Sequence, residues 1–342
     1  MLSYPSQRSV IRGGVMKKVT IRDVARETGV SPSTVSRAFS MPGRVSPETT
    51  KRIFETADRL GYHEMPVESR PSSGHKGLIA IIVPDMANQF FSDIIRSVQY
   101  ECAQHDFGLL VSESRESAAV ERAAFDKAVY YADGVVLASS RMPDSMIRKC
   151  AQIKPTVVTN RVIRGVSSVI TDIEPGMQQA VEHLAELGYD RITYLDGPAH
   201  SWSAGMCWNA ISKACADREI RLKRHWPGVP TYEGGFQMAK EYLKTPTGAV
   251  IAYNDMMALG FIAAMRKSGY DCPNDVSVIG IDDDIVGRIS WPTLTTIHRS
   301  TRLLGQQAAK MLLTRFRTDV EESSACNTPT RLVVRESSES RM

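Results

Sequence analysis

The chain has 342 residues, of which 42% are hydrophobic and 7% aromatic, and this length suits two or three folded domains. No apolar run approaches the ~20 residues of a membrane span, and residues 1–15 lack the long apolar core of a secretory signal. The six cysteines form no C-x-x-C pair, which argues against a zinc site and a disulfide framework. We therefore expect a cytoplasmic protein without a metal, a cofactor or a membrane anchor.

Charge is distributed unevenly along the chain. Residues 1–63 carry 11 Lys and Arg against 5 Asp and Glu, whereas the whole chain has a net charge of only +4. A basic N-terminal part joined to a nearly neutral body is typical of a DNA-binding module attached to a domain that does not touch DNA.

The segment VTIRDVARETGVSPSTVSRAF, which begins at Val19, predicts two short helices joined by a tight turn. Thr20 starts an [ST]-x-x-[DE] pattern that caps a first helix. Gly29 permits the turn, Ser31 caps a second helix, and Pro32 occupies the first position of that helix. This helix-turn-helix pattern places the second helix in the DNA major groove, so the sequence predicts binding to specific DNA.

A third helix is predicted from Ser46 in SPETTKRIFETADRLGY, and its apolar stripe contains Ile53, Phe54, Ala57 and Leu60. We predict a flexible tail at 1–16, a helix-turn-helix headpiece at 17–63, a hinge linker at 64–77 and a body at 78–342. Met1 and Met16 are both candidate start residues.

The body alternates short apolar runs with helical segments. LIAIIVP, FGLLVSES, GVVLASS and TVVTNR form a first series from Leu78, and RITYLDG, GAVIAYND and VSVIGIDD form a second from Arg191. Strands that are buried on both faces and separated by helices indicate a parallel α/β sheet. Two such series predict two lobes, with a ligand bound where the carboxyl ends of the strands meet the opening between them.

Six segments in this order closely resemble the lactose/galactose repressor (LacI-type) family of bacterial transcription factors. They are TIRDVARETGVSPSTVSRAF, VSPETTKRIFETADRLGY, VPDMANQFF, AYNDMMALG, VSVIGIDD and LTTIHRSTRLLGQ, and the resemblance runs from about Lys17 to Val334. It implies an all-α helix-turn-helix headpiece and a two-lobed α/β domain like that of periplasmic binding proteins. It also implies a homodimer that binds a pseudo-palindromic operator and senses a small effector, which we expect to be a sugar or polyol.

The resemblance implies that three positions of the second helix meet base edges, and here these are Pro32, Ser33 and Arg37. Arg37 is the best candidate for direct readout, because its planar fork can bond O6 and N7 of guanine together. A phosphate contact is the alternative role for Arg37. The further expected DNA contacts are Thr20, Ser31, Thr34 and Ser36.

In the family a short hinge helix inserts a leucine into the minor groove, but this chain has Pro71 at that position. Pro71 disfavours helical backbone at Arg70, which suggests a shortened or unstable hinge helix. Proline can also wedge between base steps, so this alternative stays open.

By resemblance, several strand ends contribute a cleft for the effector. Amides, carboxylates, aromatic faces and a guanidinium suit a polyhydroxylated ligand. The expected effector-binding residues are Asn88, Phe90, Phe91, Asn160, Arg161, Trp202, Tyr253, Asn254, Asp282 and Arg299. Positions that supply arginines to the effector in many relatives hold Gly205 and Cys207 here, so the ligand is either less anionic or held by Arg161, Arg299 and Trp202.

Three structural alternatives accompany these expectations. One of Phe90 and Phe91 can belong to the core. Asp255 can act as a cap for the helix that follows it. The acidic run Asp282–Asp284 does not predict a metal site, because successive side chains point in different directions.

Other functional classes are less well supported. An enzyme would need a motif such as G-x-x-x-x-G-K-[ST], G-x-G-x-x-G or G-x-S-x-G, and none is present. An exported sugar-binding protein would have no DNA-binding head. A regulator that is controlled by a protein partner, or that acts constitutively without an effector, remains the main alternative because of the altered arginine positions.

Overall fold

A computed structural model describes residues 19–62, 76–225, 228–316 and 324–338. The chain forms two compact units, Met1–Ser72 and Ser73–Met342. The hinge position Pro71 lies outside the described residues, as does most of the linker.

The first unit is helical. It contains α1 (Ile21–Thr28), α2 (Pro32–Ser40), a short 3-10 turn (Pro42–Arg44) and α3 (Pro47–Leu60). The three helices enclose a small apolar core formed by Val24, Ala25, Val35, Ala38, Ile53 and Ala57.

Local sequence accounts for the helix boundaries. The carboxylate of Asp23 accepts hydrogen bonds from the backbone N–H and the hydroxyl of Thr20, at 2.9 and 2.7 Å. Gly29 ends α1 with φ at +68°, a conformation that costs glycine little. The hydroxyl of Ser31 accepts the backbone N–H of Thr34 at 3.1 Å and so caps α2.

The predicted stripe of α3 is only partly buried. Ile53 and Ala57 are buried, whereas Phe54 is exposed over 38% of its surface. The Phe54 ring instead packs edge-on against Phe39 of α2, with ring centroids 4.7 Å apart. Phe54 therefore fixes α2 against α3 at the margin of the core.

The second unit contains the remaining elements in an α/β order. Its first half comprises β1 (Leu78–Val83), α4 (Gln89–Ala103), β2 (Gly108–Glu113), α5 (Ala118–Tyr131), β3 (Gly134–Ala138), α6 (Asp144–Ile153), β4 (Thr156–Thr159) and β5 (Ser167–Thr171). There follow α7 (Glu174–Glu186), β6 (Arg191–Leu195), α8 (Trp202–Ala216), β7 (Arg221–His225), α9 (Tyr232–Tyr242), β8 (Ala249–Ala252), α10 (Asp255–Lys267), β9 (Ser277–Asp282), α11 (Ile285–Ile289) and β10 (Thr295–Arg299). The last elements are α12 (Thr301–Thr314), β11 (Ala325–Thr328), β12 (Thr330–Val333) and a 3-10 turn (Glu336–Ser338).

These elements form two lobes, each built on a six-stranded sheet. The N-lobe sheet has the order β11-β5-β4-β3-β1-β2, and all its pairings are parallel. The C-lobe sheet has the order β12-β10-β9-β8-β6-β7, in which only β10 and β12 pair antiparallel. The two-lobed parallel α/β architecture predicted from the sequence is confirmed.

Each sheet is buried on both faces. In the N-lobe, α4 and α12 cover one face and α5 and α6 the other, and the side chains of the inner strands β1, β3 and β4 between them are almost fully buried. In the C-lobe, α7 and α8 cover one face, with α9 and α10 on the other. Burial on both faces explains why these strands read as continuous apolar runs.

The chain crosses between the lobes three times, after β5, after β10 and after β11. The first and third crossings are hydrogen-bonded to each other. The backbone N–H of Asp172 donates to the carbonyl of Thr328 at 2.9 Å, and the hydroxyl of Thr330 donates to the carbonyl of Asp172 at 2.7 Å. The second crossing lies at Ser300, directly after Arg299.

Across the described ranges, no helix is both long and apolar enough to traverse a lipid bilayer.

Candidate DNA-reading surface and ligand cavity

The amino end of α2 carries a cluster of exposed hydroxyl groups. Ser31, Pro32 and Ser33 are exposed, and Thr34 is half-buried. The oxygen of Ser31 lies 2.8 Å from the hydroxyl oxygens of both Ser33 and Thr34. Short hydroxyl side chains at a helix start can donate to phosphates or to base edges.

Arg37 lies one turn further along the same helix and is exposed. Among the described residues, no carboxylate forms an ion pair with Arg37, so its guanidinium is available to a ligand in solvent. Ser36 is half-buried beside it, and Thr20 is exposed at the start of α1. The predicted DNA contacts that are described therefore lie at helix starts or along α2.

The second unit contains a cavity at the carboxyl ends of the parallel strands of both lobes. About 380 Å³ of space between the lining residues is free of protein atoms, a volume that includes open solvent. It is lined by Asn88, Phe90, Phe91, Glu116, Ser139, Arg141, Asn160, Ser203, Pro230, Tyr253, Asn254, Asp282 and Arg299. Strand ends that face a crevice are the usual ligand position in open α/β folds.

The backbone at this cavity is held in unusual conformations. Four lining residues have positive φ without being glycine, namely Glu116 (58°), Ser139 (51°), Asn160 (56°) and Asp282 (130°). Such conformations cost energy and concentrate at functional sites, where they aim side chains in a required direction. Each of these residues follows or ends a strand, so the strain turns a side chain from the sheet towards the cavity.

The C-lobe wall is dominated by an ion pair between Asp282 and Arg299, both buried. The Nε and one terminal nitrogen of Arg299 donate to the same oxygen, Oδ1 of Asp282. The guanidinium carbon also lies 4.2 Å from the centroid of the Phe90 ring, which belongs to the N-lobe. Arg299 thus contacts both lobes, through a carboxylate on one side and an aromatic face on the other.

The electrostatics of this pair reflect its burial. Burial raises the pKa of Asp282, and the Arg299 guanidinium opposes that rise. Burial disfavours the charged form of Arg299, but the neighbouring Asp282 outweighs it and raises the pKa of the guanidinium. The arginine therefore stays charged and depends on Asp282 for compensation.

The N-lobe wall contains a second arginine, Arg141, whose side chain is only 6% exposed. Nε of Arg141 donates to Oε2 of Glu116, and a terminal nitrogen donates to the carbonyl of Ser139 at 2.7 Å. The backbone N–H of Arg141 donates to Glu121 at 2.8 Å, and burial raises the pKa of that carboxyl group. Three contacts therefore hold Arg141 at the cavity wall.

The amides at the cavity are partly engaged by the backbone. Oδ1 of Asn88 accepts from Phe90 N–H at 3.0 Å, and Oδ1 of Asn160 accepts from Thr171 N–H at 3.3 Å. Asn254 is partly engaged as well, since Oδ1 accepts from Met257 N–H and one N–H of Nδ2 donates to the Pro230 carbonyl. Its second Nδ2 N–H has no partner among the described residues.

Asp255 lies behind the cavity and is fully buried. Asn254 caps α10, so the capping role considered for Asp255 is wrong. The Asp255 carboxylate instead accepts from the Thr296 hydroxyl at 2.6 Å and from Asp284 N–H at 2.8 Å. A Cβ atom on Gly280 would lie 2.1 Å from Asp255 Oδ1, so glycine is required there.

Two of the expected effector-binding residues do not line the cavity. Arg161 donates to the carbonyls of Ser140 and Met142 and pairs with Asp144, so it braces the loop that carries Arg141. Trp202 is the first residue of α8 rather than a loop residue, and the next residue, Ser203, lines the cavity. Both Phe90 and Phe91 are buried and also line the cavity, so core and cavity roles coincide.

The sequence reasoning did not include five lining residues: Glu116, Ser139, Arg141, Ser203 and Pro230. A usable signal was present for the first three: Glu116 lies two residues after the predicted strand FGLLVSES, Ser139 lies near the end of GVVLASS, and Arg141 follows GVVLASS directly. Pro230 follows β7, a strand whose charged sequence RLKRH gives no apolar pattern.

The structure explains the altered arginine positions on α8. Gly205 is exposed, while Cys207 is buried. The positive charge of Arg299 acts electrostatically on the Cys207 thiol. The cation of the C-lobe wall therefore comes from β10 instead of α8.

Comparisons with known proteins cover both units. A sequence profile described as "Bacterial regulatory proteins, lacI family" matches residues 20–64, and one described as "Periplasmic binding protein-like domain" matches residues 181–338. The chain is 30% identical over 302 residues to the HTH-type transcriptional repressor CytR of Escherichia coli (strain K12). That match covers 86% of this chain and 89% of CytR.

Solved structures agree over a similar extent. A lac repressor dimer bound to operator and the anti-inducer ONPF has a TM-score of 0.73 and 27% identity, covering 94% of this chain and 99% of that one. A complex of the transcriptional regulator CelR with cellobiose has a TM-score of 0.70 and 26% identity, covering 93% and 99%. With the helix-turn-helix unit and the two-lobed body, these matches show that the chain belongs to the lacI family of bacterial regulatory proteins, as a DNA-binding transcriptional regulator rather than an enzyme.

Proposed function

We propose that this protein is a cytoplasmic repressor whose affinity for its operator is changed by a small polar effector in the cavity between the lobes. A single observation carries the proposal: polar and charged side chains from both lobes converge on one cavity, in a chain that also exposes a DNA-reading helix. A ligand can shift the equilibrium between two lobe arrangements only through its different affinity for them. Contacts with both lobes are the means to such a difference.

On the DNA side, Arg37 and Ser33 are the proposed base-reading residues, with Pro32 in apolar contact. Thr20, Ser31, Thr34 and Ser36 are the proposed phosphate contacts, since hydroxyls at helix starts commonly hold the backbone. Pro71 is proposed to shorten the hinge helix. A Pro71→Leu variant that binds the operator more tightly without a change in sequence choice would support this, and a large loss would favour a proline wedge.

On the ligand side, the proposed effector-binding residues are the eight expected residues that line the cavity. Phe90 and Phe91 supply aromatic surface, while Asp282, Arg299 and Asn160 supply polar groups. The related CelR structure contains cellobiose, which is in keeping with a polyhydroxylated ligand.

We propose that the protein acts as a homodimer and that part of the contact lies around α11. Ile285 and Ile289, one turn apart on α11, are exposed over 52% and 76% of their surfaces, and Trp291 over 75%. Exposed apolar groups in such a cluster mark association surfaces. The related lac repressor structure is a dimer, and two headpieces ~34 Å apart read the two halves of a palindrome.

The test of the regulatory function combines operator selection with a ligand screen on the full-length protein. Operator sequences are selected from random DNA, and thermal shift then screens sugars, polyols, sugar phosphates and nucleosides. A ligand at a hundredfold excess over its Kd stabilises by about 2.7 kcal/mol, which is easily seen. A hit that changes operator affinity supports the proposal, whereas operator binding that no ligand changes supports a partner-controlled or constitutive repressor.

The dimer is tested by light scattering after chromatography. Ile289→Glu and Trp291→Glu should convert the dimer to a monomer and weaken binding to a palindromic operator. The control is Ile153→Glu, at an exposed apolar residue at the end of α6 in the N-lobe. An unchanged dimer in both α11-region variants would contradict this interface.

A further inference from the structure

The two arginines at the cavity have hydrogen-bonding capacity that the protein does not use. A guanidinium carries five N–H groups. In Arg299, Nε and one terminal N–H donate to Asp282, and in Arg141 one N–H donates to Glu116 and another to the Ser139 carbonyl. Within the described part of the chain, nothing accepts from the other three N–H groups of either residue.

The acceptors that face the same space are fewer. Asp282 uses Oδ1 for Arg299, and Glu116 uses Oε2 for Arg141, so each carboxylate keeps one oxygen without a described donor. Asn88 adds another donor, because its Oδ1 is engaged by Phe90 N–H while no described residue accepts from its Nδ2. The unused groups of the cavity are therefore mainly donors.

Helix ends add to this donor character. Three helices begin at the cavity, where Asn88 caps α4, Asn254 caps α10 and Ser203 is the second residue of α8. These helices have 15, 13 and 15 residues, and the amino end of a helix carries a partial positive charge. The two buried arginines and the three helix ends thus act in the same direction.

We propose that the effector carries an anionic group, a carboxylate or a phosphate, which is bound by Arg141 and Arg299 while its hydroxyls reach the free oxygens of Glu116 and Asp282. This inference rests on the proposed function, since it takes the cavity as the effector site. Arginine binds carboxylates and phosphates through two parallel hydrogen bonds, and charge-assisted bonds are about twice as strong as neutral ones. The ligand class is therefore a small polyhydroxylated anion, a sugar acid or a sugar phosphate.

The geometry also gives each arginine a distinct part in the site. Arg141 belongs to the N-lobe and Arg299 ends β10 at the second crossing, so an anion that contacts both links the two lobes. Such a ligand binds the closed arrangement better than the open one, which is the condition for a shift between them.

The experiment uses matched probes and isothermal titration with the full-length protein. The probe sets are glucose, gluconate and glucose 6-phosphate, and ribose, ribonate and ribose 5-phosphate. In at least one set, an anionic probe is expected to bind at least tenfold more tightly than its neutral parent. Preference for the carboxylate or for the phosphate identifies the anion, and either result supports the inference.

Two variants test the arginines. Arg141→Gln should weaken binding of the anion at least tenfold and weaken binding of the neutral parent by a smaller factor. Arg299→Gln alone would leave Asp282 buried without a partner, so it is combined with Asp282→Asn, which removes both charges together. The control is Arg191→Gln, at an exposed arginine outside the cavity that pairs with Asp190, and it should bind the anion normally.

Operator affinity, measured by fluorescence anisotropy in the same samples, separates this inference from the proposed function. If the neutral parents bind as tightly as the anions and change operator affinity, the inference of an anionic effector is wrong. The proposed function as an effector-regulated repressor is then still supported. Failure of every anionic probe to bind at 10 mM overturns the inference. Failure of both anionic and neutral probes to change operator affinity counts against the effector-regulated function as well.

Discussion

The headpiece and the body both present arginines to their proposed ligands, but under opposite conditions. Arg37 is exposed and has no ion-pair partner among the described residues, whereas Arg299 is buried and paired with Asp282. Water solvates an exposed guanidinium, so Arg37 needs no partner within the protein. A buried guanidinium loses that solvation and therefore requires a carboxylate partner. That partner is a second charged residue, and both side chains must be held in a fixed geometry.

This difference determines which interactions a ligand must replace when it binds in each region. DNA replaces only water and counterions at Arg37. A ligand in the cavity meets groups whose orientation is already set by Asp282, Glu116 and the Phe90 ring. The headpiece is thus suited to reading a long polyanion, and the cavity to selecting one small molecule by shape and hydrogen bonding.

The largest expected effect comes from removing the partner of the buried arginine. Asp282→Ala leaves Arg299 uncompensated and should lower the free energy of unfolding by about 3–5 kcal/mol. Urea denaturation measures the loss, with Asp190→Ala, an exposed carboxylate, as the control. Below its unfolding transition the variant should still bind operator but no longer respond to the effector, and a normal response would show that the cavity is not the effector site.

The next effect concerns the buried carboxyl group of Asp255. Burial and then the nearby Asp282 raise the pKa of Asp255 to about 7, and hydrogen bonds from Thr296 and Asp284 N–H oppose the rise. The unfolded-state pKa is about 3.9, so the folded state holds an extra proton between about pH 4 and pH 7 and its stability falls as pH rises through that range.

Asp255→Asn keeps the size and polarity of the side chain while removing this titration. Its stability relative to the unmodified protein should improve from about pH 4 to pH 7 and change little above that. Urea denaturation at several pH values measures this difference. Stability curves that stay parallel over the range would contradict a raised pKa at Asp255.

On the exposed side, Arg37→Ala should relax base choice at one operator position by about 1–3 kcal/mol. Anisotropy titrations with the selected operator and its single-base variants measure the loss. Arg59→Ala makes the same charge change on α3, where Arg59 pairs with Glu27, and should not alter base choice. An equal loss for every base in Arg37→Ala would instead indicate a phosphate contact.

The smallest effect is expected from the cap of α2. Ser31→Ala removes the acceptor for Thr34 N–H and should destabilise the helix start by about 1 kcal/mol. Ser46→Ala removes the corresponding cap of α3, where Ser46 accepts from Thr49 N–H at 3.3 Å. Hydrogen exchange should show similar loosening of the two helices, whereas operator affinity should fall more for Ser31→Ala if Ser31 contacts DNA.

Sequence reasoning worked best where short-range patterns decide the structure. The caps and the Gly29 turn placed the first two helices within a residue or two, and the predominantly apolar strands β1, β3, β8 and β9 were recognised. β7 was missed because it is a charged edge strand. β11 and β12 are four-residue strands that depend on partners distant in sequence.

Local sequence patterns also do not determine which individual side chains line the cavity. The expected residues Asp282 and Arg299 lie at strand ends and do line the cavity. Arg161 also follows a strand, yet it turns away to bond Ser140, Met142 and Asp144, while Arg141 takes the place at the wall. Which of the two arginines lines the cavity is decided by the neighbouring loop, Glu116 included, and no local pattern encodes that.

The three crossings between the lobes have a consequence for how the chain is made. The N-lobe acquires α12 and β11 only from residues 301–328, and β12 of the C-lobe follows still later. Until the ribosome has passed residue 301, α12 has not been synthesised. The part of the apolar N-lobe sheet face against which α12 packs is therefore still exposed. Neither lobe can therefore be completed during synthesis until almost the entire chain has emerged, and a nonsense codon anywhere before β12 leaves the C-lobe unfinished and, before β11, both lobes.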